Sequence, residues 1–415
     1  MVKIKGLKAF RPKEELCQEI ASKPYDVLNS KEARQEAQGN PYSFLHVIKS
    51  EIDLPEDIDP YDEQVYQKAA ENLEKMKKKG WLIQEDSETL YLYRQIMDGH
   101  EQYGLVVDAS VQDYLDGKIK IHELTREKKE KDRINHVKTT NANTGPVFLT
   151  YRSQPKIDKI IKEAARKEPV YDFTAEDGVQ HTLWIIKDTE NINSLIKNFE
   201  QIPHTYVADG HHRSKSAAMV GQMRKEENPD HTGDEEYNWF LAVLFPHNQL
   251  QILDYNRVVK DLNSLSQDKF FEKVKENFTI EAVKNSKEAK PDKKHTFGMY
   301  LKGQWYQLTA KDDTYNESDP VEGLDVSILQ NNLLTPVLDI GNPRKDTRID
   351  FVGGIRGLKE LEKRVDSGEM KVAFALYPTS VEELMSIADA EKLMPPKSTW
   401  FEPKLRSGLI LHDLE

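Results

Sequence analysis

A chain of 415 residues with a formal charge of −12 is long enough for two or three domains and too acidic to be a general binder of nucleic acid or of anionic membranes. Fourteen Phe, seventeen Tyr and five Trp exceed what a disordered chain carries, so a buried core is expected. A single cysteine, Cys17, excludes an internal disulfide and fits a reducing compartment; with no apolar run near the roughly 18 residues that span a bilayer and no signal-type start, a soluble cytoplasmic protein is expected.

The first 50 residues read as ordered but irregular, because Lys23-Pro24-Tyr25-Asp26-Val27 and Asn40-Pro41-Tyr42-Ser43-Phe44-Leu45-His46 combine direction-fixing prolines with aromatics that need burial. After Asp59-Pro60, Val65, Ala69, Leu73 and Met76 recur at helical spacing and Gly80 marks the stop. Residues 81–84, 90–96 and 104–107 read as strands, 125–137 as a polar helix and 147–150 as a strand. A hairpin is expected from 170–174 and 182–186 around Asp177-Gly178. A short strand, 205–208, leads into a helix at 213–225. Residues 239–245 and 250–255 are expected to form a second hairpin, and 297–301 and 305–308 a third, turning at Lys302-Gly303. Helices at 324–334 and 355–365 and a strand at 372–377 precede Ser380, which with Glu383 makes a capping box.

Strands and helices mix without a strict βαβ rhythm, which predicts an α+β class with mixed sheets and flanking helices in a two-lobed body. Lobes are expected at 1–115, 116–282 and 283–415, the charged stretch Val283–His295 suggesting the second boundary.

The sharpest chemical signal is Val207-Ala208-Asp209-Gly210-His211-His212-Arg213-Ser214. An apolar strand ends at Asp209, Gly210 allows a tight turn, and a helix begins where two imidazoles, a guanidinium and a hydroxyl sit. Unpaired N–H groups and the positive end of the helix dipole make that place an anion site, and Arg213 offers a bidentate fork to a phosphate. Asp209 suits a Mg²⁺ ligand or a proton acceptor instead. Zinc has little support, because neither a Cys nor a spaced His partner lies nearby.

His122, Arg126, Lys129, Arg133 and His136, spaced 4, 3, 4, 3, would share one helix face. A solvated charged face is the commoner use of such a stripe; an anion is the other. Lys397-Ser398-Thr399 with Lys404, Ser407 and Gly408 follows two prolines and either forms an anion-binding loop or is an ordinary surface tail. Tyr25-Asp26 is a weaker candidate. No Walker loop or dinucleotide fingerprint is present, and Gly353-Gly354-Ile355-Arg356-Gly357 lacks the Lys-Ser/Thr ending.

Asp209-Gly210-His211-His212-Arg213 resembles the phosphate-holding Gly-His-Arg turn of the ParB/sulfiredoxin-like superfamily. Further blocks resemble one branch of it, the pyrophosphate-dependent free-serine kinases, a group long labelled a domain of unknown function: Lys23 to Val27, Asn40 to His46, His122-Glu123-Leu124-Thr125-Arg126, Asp132-Arg133, and Met394 to Thr399 with Pro403-Lys404. The resemblance implies phosphoryl transfer between free L-serine or O-phospho-L-serine and pyrophosphate or orthophosphate, with Mg²⁺, in either direction, serine formation for amino-acid biosynthesis included. It carries phosphate binding onto Gly210, His211, His212 and Arg213, with Ser214, the stripe and the Lys397–Thr399 and Lys404 loop around them. Asp209, Glu123 and His211 are the implied catalytic groups, Asp209 also the metal ligand, and Tyr25 and Asp26 the substrate contacts. One departure is Asn256-Arg257, where the branch would carry His-Arg. The alternatives are a phosphoserine phosphatase, an ATP- or ADP-dependent serine kinase and, disfavoured by the acidity, a ParB-like nucleic-acid module.

Overall fold

The computed structural model describes all residues, 1–415. The class is α+β, with several sheets and flanking helices. Two compact units form: residues 1–250 together with 403–415, and residues 251–402. Of the lobe boundaries expected from sequence, 115/116 falls inside the first unit and 282/283 inside a strand of the second.

The first unit is built on a nine-stranded sheet. Its strands are β1 (Ile4–Lys5), β2 (Leu90–Met97), β3 (His100–Ser110), β4 (Ile119–Lys120), β5 (Val147–Tyr151), β6 (Tyr171–Thr174), β7 (Gln180–Ile186), β8 (Thr205–Asp209) and β9 (Trp239–Pro246). The order is β4-β8-β5-β9-β3-β2-β7-β6, with β1 on β3. Pairings β4–β8 and β5–β9 are parallel and the others antiparallel. Strand β9 is central, which explains its unbroken apolar run; Phe240, Leu241, Ala242, Val243, Leu244 and Phe245 are all buried. Each such Phe or Leu contributes about 1.5–3 kcal/mol.

Three helices of this unit pack in series: α1 (Glu63–Lys78), α2 (Glu127–Thr140) and α3 (His211–Glu227), with α2 against both α1 and α3. The stripe Val65, Ala69, Leu73 and Met76 is buried as its spacing predicts, Asp62 caps the start, and Gly80 takes a left-handed turn at the end. The proline-aromatic N-terminus is ordered: Ile20, Phe44, Leu45 and Ile48 join Leu73, Met76 and Leu411 in a second core. The last residues belong to this unit, Leu411 bonding to Phe10, Ser407 to Ser22, and His412–Asp413 pairing with Ala142–Asn143.

The second unit holds an antiparallel six-stranded sheet: β10 (Tyr255–Val259), β11 (Phe278–Val283), β12 (Thr296–Leu301), β13 (Gln304–Ala310), β14 (Ile349–Gly353) and β15 (Val372–Leu376), in the order β11-β13-β12-β15-β10-β14. The hairpins turning at Asp177-Gly178 and Lys302-Gly303 form as expected. The one expected from 239–245 and 250–255 does not. Strand β9 pairs with β3 on one edge and β5 on the other, which leaves it no free edge, and Gln251–Leu253 pairs with Trp400–Glu402. Residues 324–334 are helical but change from α to a wider π turn at Gln330. The helix expected from 355 starts at Leu358, after Gly357 at a positive φ. Ser380 and Glu383 form the capping box. No helix is long and apolar enough to cross a membrane.

Candidate functional site

Strand β8 leaves its sheet at Asp209. Its pairing with β5 slips between Val207 and Asp209, the kind of irregularity that re-aims a side chain. Gly210 follows at φ 94° and ψ 31°, and helix α3 begins at once with His211. A Cβ on Gly210 would lie 3.1–3.2 Å from the Arg213 guanidinium, so the glycine answers both to the turn and to the close approach of that side chain. No side chain caps α3, which leaves its first N–H groups and dipole for another partner.

Asp209 is half-buried. Its Oδ1 accepts the Gly210 N–H at 2.8 Å and its Oδ2 accepts the Lys404 ammonium at 3.1 Å, with Arg213 Nη2 at 4.0 Å. Burial alone would raise this carboxyl, but Lys404 and Arg213 outweigh it and hold it well below the usual carboxylate range. Asp209 is therefore ionised at any working pH. Arg213 donates from Nη1 to the Pro146 carbonyl, while its buried Nε has no hydrogen-bond partner. Part of the fork is left unbonded.

The histidines are neutral. Burial lowers His211 to about 4 against the pull of Asp209, and its Nε2 has no hydrogen-bond partner. His122 is fully enclosed, and burial and then His211 press it far below its ordinary value. The two rings meet edge to face at 4.4 Å. His212 is lowered to about 4 by burial and by Lys129, and its Nε2 accepts the backbone N–H of Arg126 at 3.0 Å. Ser214 is buried and its hydroxyl turns back to the His211 carbonyl at 3.1 Å, a helix-internal bond.

The stripe differs from its sequence reading. Arg126 precedes α2 with extended backbone and His122 lies in the bend before it, so only Lys129, Arg133 and His136 are helical. His122 and Arg126 reach the turn from a loop. His136 is buried, bonds the Val47 carbonyl at 3.1 Å, and is lowered to about 4 by burial and then Arg133. It is a core histidine, and the five-cation face reduces to Arg126, Lys129 and Arg133. Arg133 bonds Asp132 at 2.8 Å and stacks 4.1 Å over the ring of Tyr25. Burial and then Asp26 raise the Tyr25 hydroxyl. Asp26 is exposed and Glu123 sits beside His122 in the bend.

Two cavities adjoin these residues. One of about 30 Å³ lies among Tyr25, Arg133, Gly145, Arg213, Ser216 and Ser407, room for a water or two. The other, about 130 Å³, lies among Tyr25, Asp26, Lys129, Asp132 and Arg133. Gly145 and Pro146, which seat Arg213, went unnoticed in the sequence; the Gly-Pro pair before β5 was the available signal.

Lys404 belongs with this site. Lys397, Ser398 and Thr399 belong to the second unit, where Ser398 is buried and bonds Pro395 and Thr379, and Lys397 is exposed with its ammonium 5.4 Å from the Tyr255 ring. There the departure at Asn256 has a structural use: its amide donates to Asp254 and its oxygen accepts the Leu376 N–H at 3.0 Å. Arg257 is buried, bonds the Tyr255 and Pro396 carbonyls, and is lowered by burial to about 10.

For Mg²⁺ the turn itself offers the carboxylate of Asp209, whose oxygens already hold an amide and Lys404. The residues fit that ion only alongside phosphate oxygens, as is usual for Mg²⁺.

Among solved structures, the chain is similar to "Free serine kinase in complex with AMP", with 12% identity, 72% of this chain and 86% of that chain covered, and a TM-score of 0.35. It is similar to a conserved hypothetical protein from Pyrococcus furiosus, with 14% identity, 73% and 93% covered, and a TM-score of 0.34. The same holds for SbnI with a C-terminal truncation from Staphylococcus aureus, with 10% identity, 72% and 82% covered, and a TM-score of 0.32. No curated protein matches. The model of the family described as "Protein of unknown function (DUF1015)" matches residues 4–327, most of the chain, and this chain belongs to that family.

Proposed function

We propose that the chain is a phosphotransferase whose Asp209–Ser214 turn holds the moving phosphoryl group. The observation that carries this is an uncapped helix start with an incompletely bonded guanidinium, Arg213, and an ammonium, Lys404, both facing Oδ2 of an ionised carboxylate. Phosphoryl transfer is chiefly positioning and charge neutralisation, and those groups supply both. On this reading the segment is the phosphate turn of the ParB/sulfiredoxin-like superfamily.

The acceptor is free L-serine, a choice that rests on the resemblance of the sequence blocks. Arg213, Lys404 and the α3 amides bind the phosphate oxygens. Asp209 orients the serine hydroxyl and takes its proton; His211, neutral with a bare Nε2, and Glu123 are the other candidates for that proton. Tyr25 and Asp26, which line the 130 Å³ cavity, bind the amino acid. Mg²⁺, when bound through Asp209 and phosphate oxygens, neutralises charge on the phosphates. Pyrophosphate is the phosphate partner, and the reverse direction turns phosphoserine and orthophosphate into serine and pyrophosphate.

A donor screen tests this. Pyrophosphate, ATP and ADP are each incubated with L-serine and Mg²⁺, and orthophosphate with phosphoserine, with ³¹P NMR detection. Phosphoserine from pyrophosphate is the expected product. Phosphoserine from ATP or ADP alone would replace the donor. Serine released without any added phosphate would make the chain a phosphatase.

A further inference from the structure

We propose that Asp108, Glu236 and His412 bind one divalent transition-metal ion that ties the C-terminal segment to the large sheet, a site separate from the phosphate turn. Asp108 lies on β3 between Lys5 of β1 and Leu241 of β9, is fully buried, and neither of its carboxylate oxygens makes a hydrogen bond. Buried carboxylates without donors are costly unless a cation meets them. His412 is buried on the last short strand.

The state of the His412 ring follows from its neighbours. Asn143 Oδ1 accepts the Leu241 backbone N–H at 3.1 Å, which fixes the amide with its oxygen toward His412 Nδ1 at 3.3 Å. Nδ1 is therefore the donor, and Nε2 faces the two carboxylates. It lies 2.9 Å from Glu236 Oε2 and 3.4 Å from Asp108 Oδ2, and all three ligand atoms lie within 4.8 Å of one another. Ligands about 2.0–2.2 Å from a zinc-like ion are separated by about 3.0–3.5 Å in octahedral or tetrahedral arrangement; the two separations from His412 Nε2 lie close to that spacing, and the carboxylate pair, within 4.8 Å, would close on a shared ion. Asn143 then serves as the outer partner that orients a metal-bound histidine. Lys5 donates to Glu236 Oε1 at 2.8 Å and to Oε2 at 2.7 Å; an ion on Oε2 would take over the second contact and leave Lys5 orienting the carboxylate through Oε1.

One imidazole with two carboxylates favours zinc, manganese or cobalt over magnesium or calcium, which prefer all-oxygen sets. A way in exists: an open cleft of about 730 Å³, with Asp234, Glu235 and Glu236 on its wall, reaches the half-buried Glu236. The competing occupant is a proton on Nε2, which would make the cluster a closed ion-pair network.

The test titrates the chelator-treated full chain with Co²⁺, read by visible absorption, and with Zn²⁺, read by calorimetry. One equivalent is expected, with affinity falling more than about 100-fold in Asp108→Asn, His412→Gln and Glu236→Gln, beyond the 10–100-fold typical of losing an outer partner. Zn²⁺ should raise the unfolding temperature of the parent chain and not of these variants, while Asp209→Asn keeps the affinity. Should Asp108→Asn or His412→Gln not fold, the half-buried Glu236→Gln decides alone. Absence of binding by the parent chain, or unchanged affinity in Glu236→Gln, overturns the proposal in favour of the protonated network.

Discussion

Gly210→Ala separates the turn's backbone from its chemistry. At φ 94° an alanine is strained by about 1–2 kcal/mol, or about 2–8 °C in Tm at about 2–4 °C per kcal/mol for a unit of this size. The new methyl would also stand 3.1–3.2 Å from the Arg213 guanidinium, which its bond to the Pro146 carbonyl keeps from backing away freely. If that displaces one charge-assisted contact to phosphate, binding weakens by about 1.5–3 kcal/mol, about 10- to 150-fold in Kd. Gly39→Ala is the control, because Gly39 has φ 78° with nothing within 4 Å of a Cβ and carries the strain alone. Unfolding followed by circular dichroism and calorimetric titration with pyrophosphate give the two numbers. Both variants should lose stability and only Gly210→Ala should lose affinity. Equal pyrophosphate affinity in the two would refute the placement of Arg213 over the anion.

Arg213→Lys should lose most phosphotransfer activity, since a point charge cannot replace the fork; near-parent rates would remove Arg213 from the site. Lys404→Met deletes an ammonium 3.1 Å from Asp209, a gross attraction of about 5 kcal/mol at an effective dielectric of 20, most of it offset by desolvation. The depressed Asp209 carboxyl contributes stability above the ordinary carboxylate pKa that is lost as pH falls toward its folded value, so Lys404→Met should flatten the acid limb of urea stability. An unchanged limb would show that Lys404 does not hold Asp209 ionised. His211, neutral in the fold with a value of about 4, is protonated more readily in the unfolded chain, so stability should fall as pH drops from about 6.5 to about 4. His211→Gln should reduce that slope, and an identical slope would contradict the buried neutral ring.

The turn was legible because its determinants are consecutive: an apolar strand, a glycine and a basic helix start within ten residues. The α1 stripe was legible for the same reason. The cationic stripe misled because its regular spacing runs past the helix start: Thr125 stands one residue early with its hydroxyl on Glu130, and Arg126 stands at the cap with extended backbone. Spacing also could not reveal that His122 and His136 are buried and neutral. The contact of Lys404 with Asp209 spans 195 residues, and the Asp108, Glu236 and His412 cluster joins three distant segments, so no local pattern announces either. The misplaced second hairpin has the same origin: β9 finds its partners over 90 residues away in β5 and further in β3.

Occupation of the turn by a phosphoryl anion is tested most directly by histidine-selective ¹⁵N NMR of the full chain titrated with pyrophosphate. Ring and amide signals of His211 and His212 should shift together and saturate, with His46 and His231 unmoved. Saturable shifts at other histidines with His211 and His212 silent would place the anion elsewhere and contradict a phosphate-holding turn.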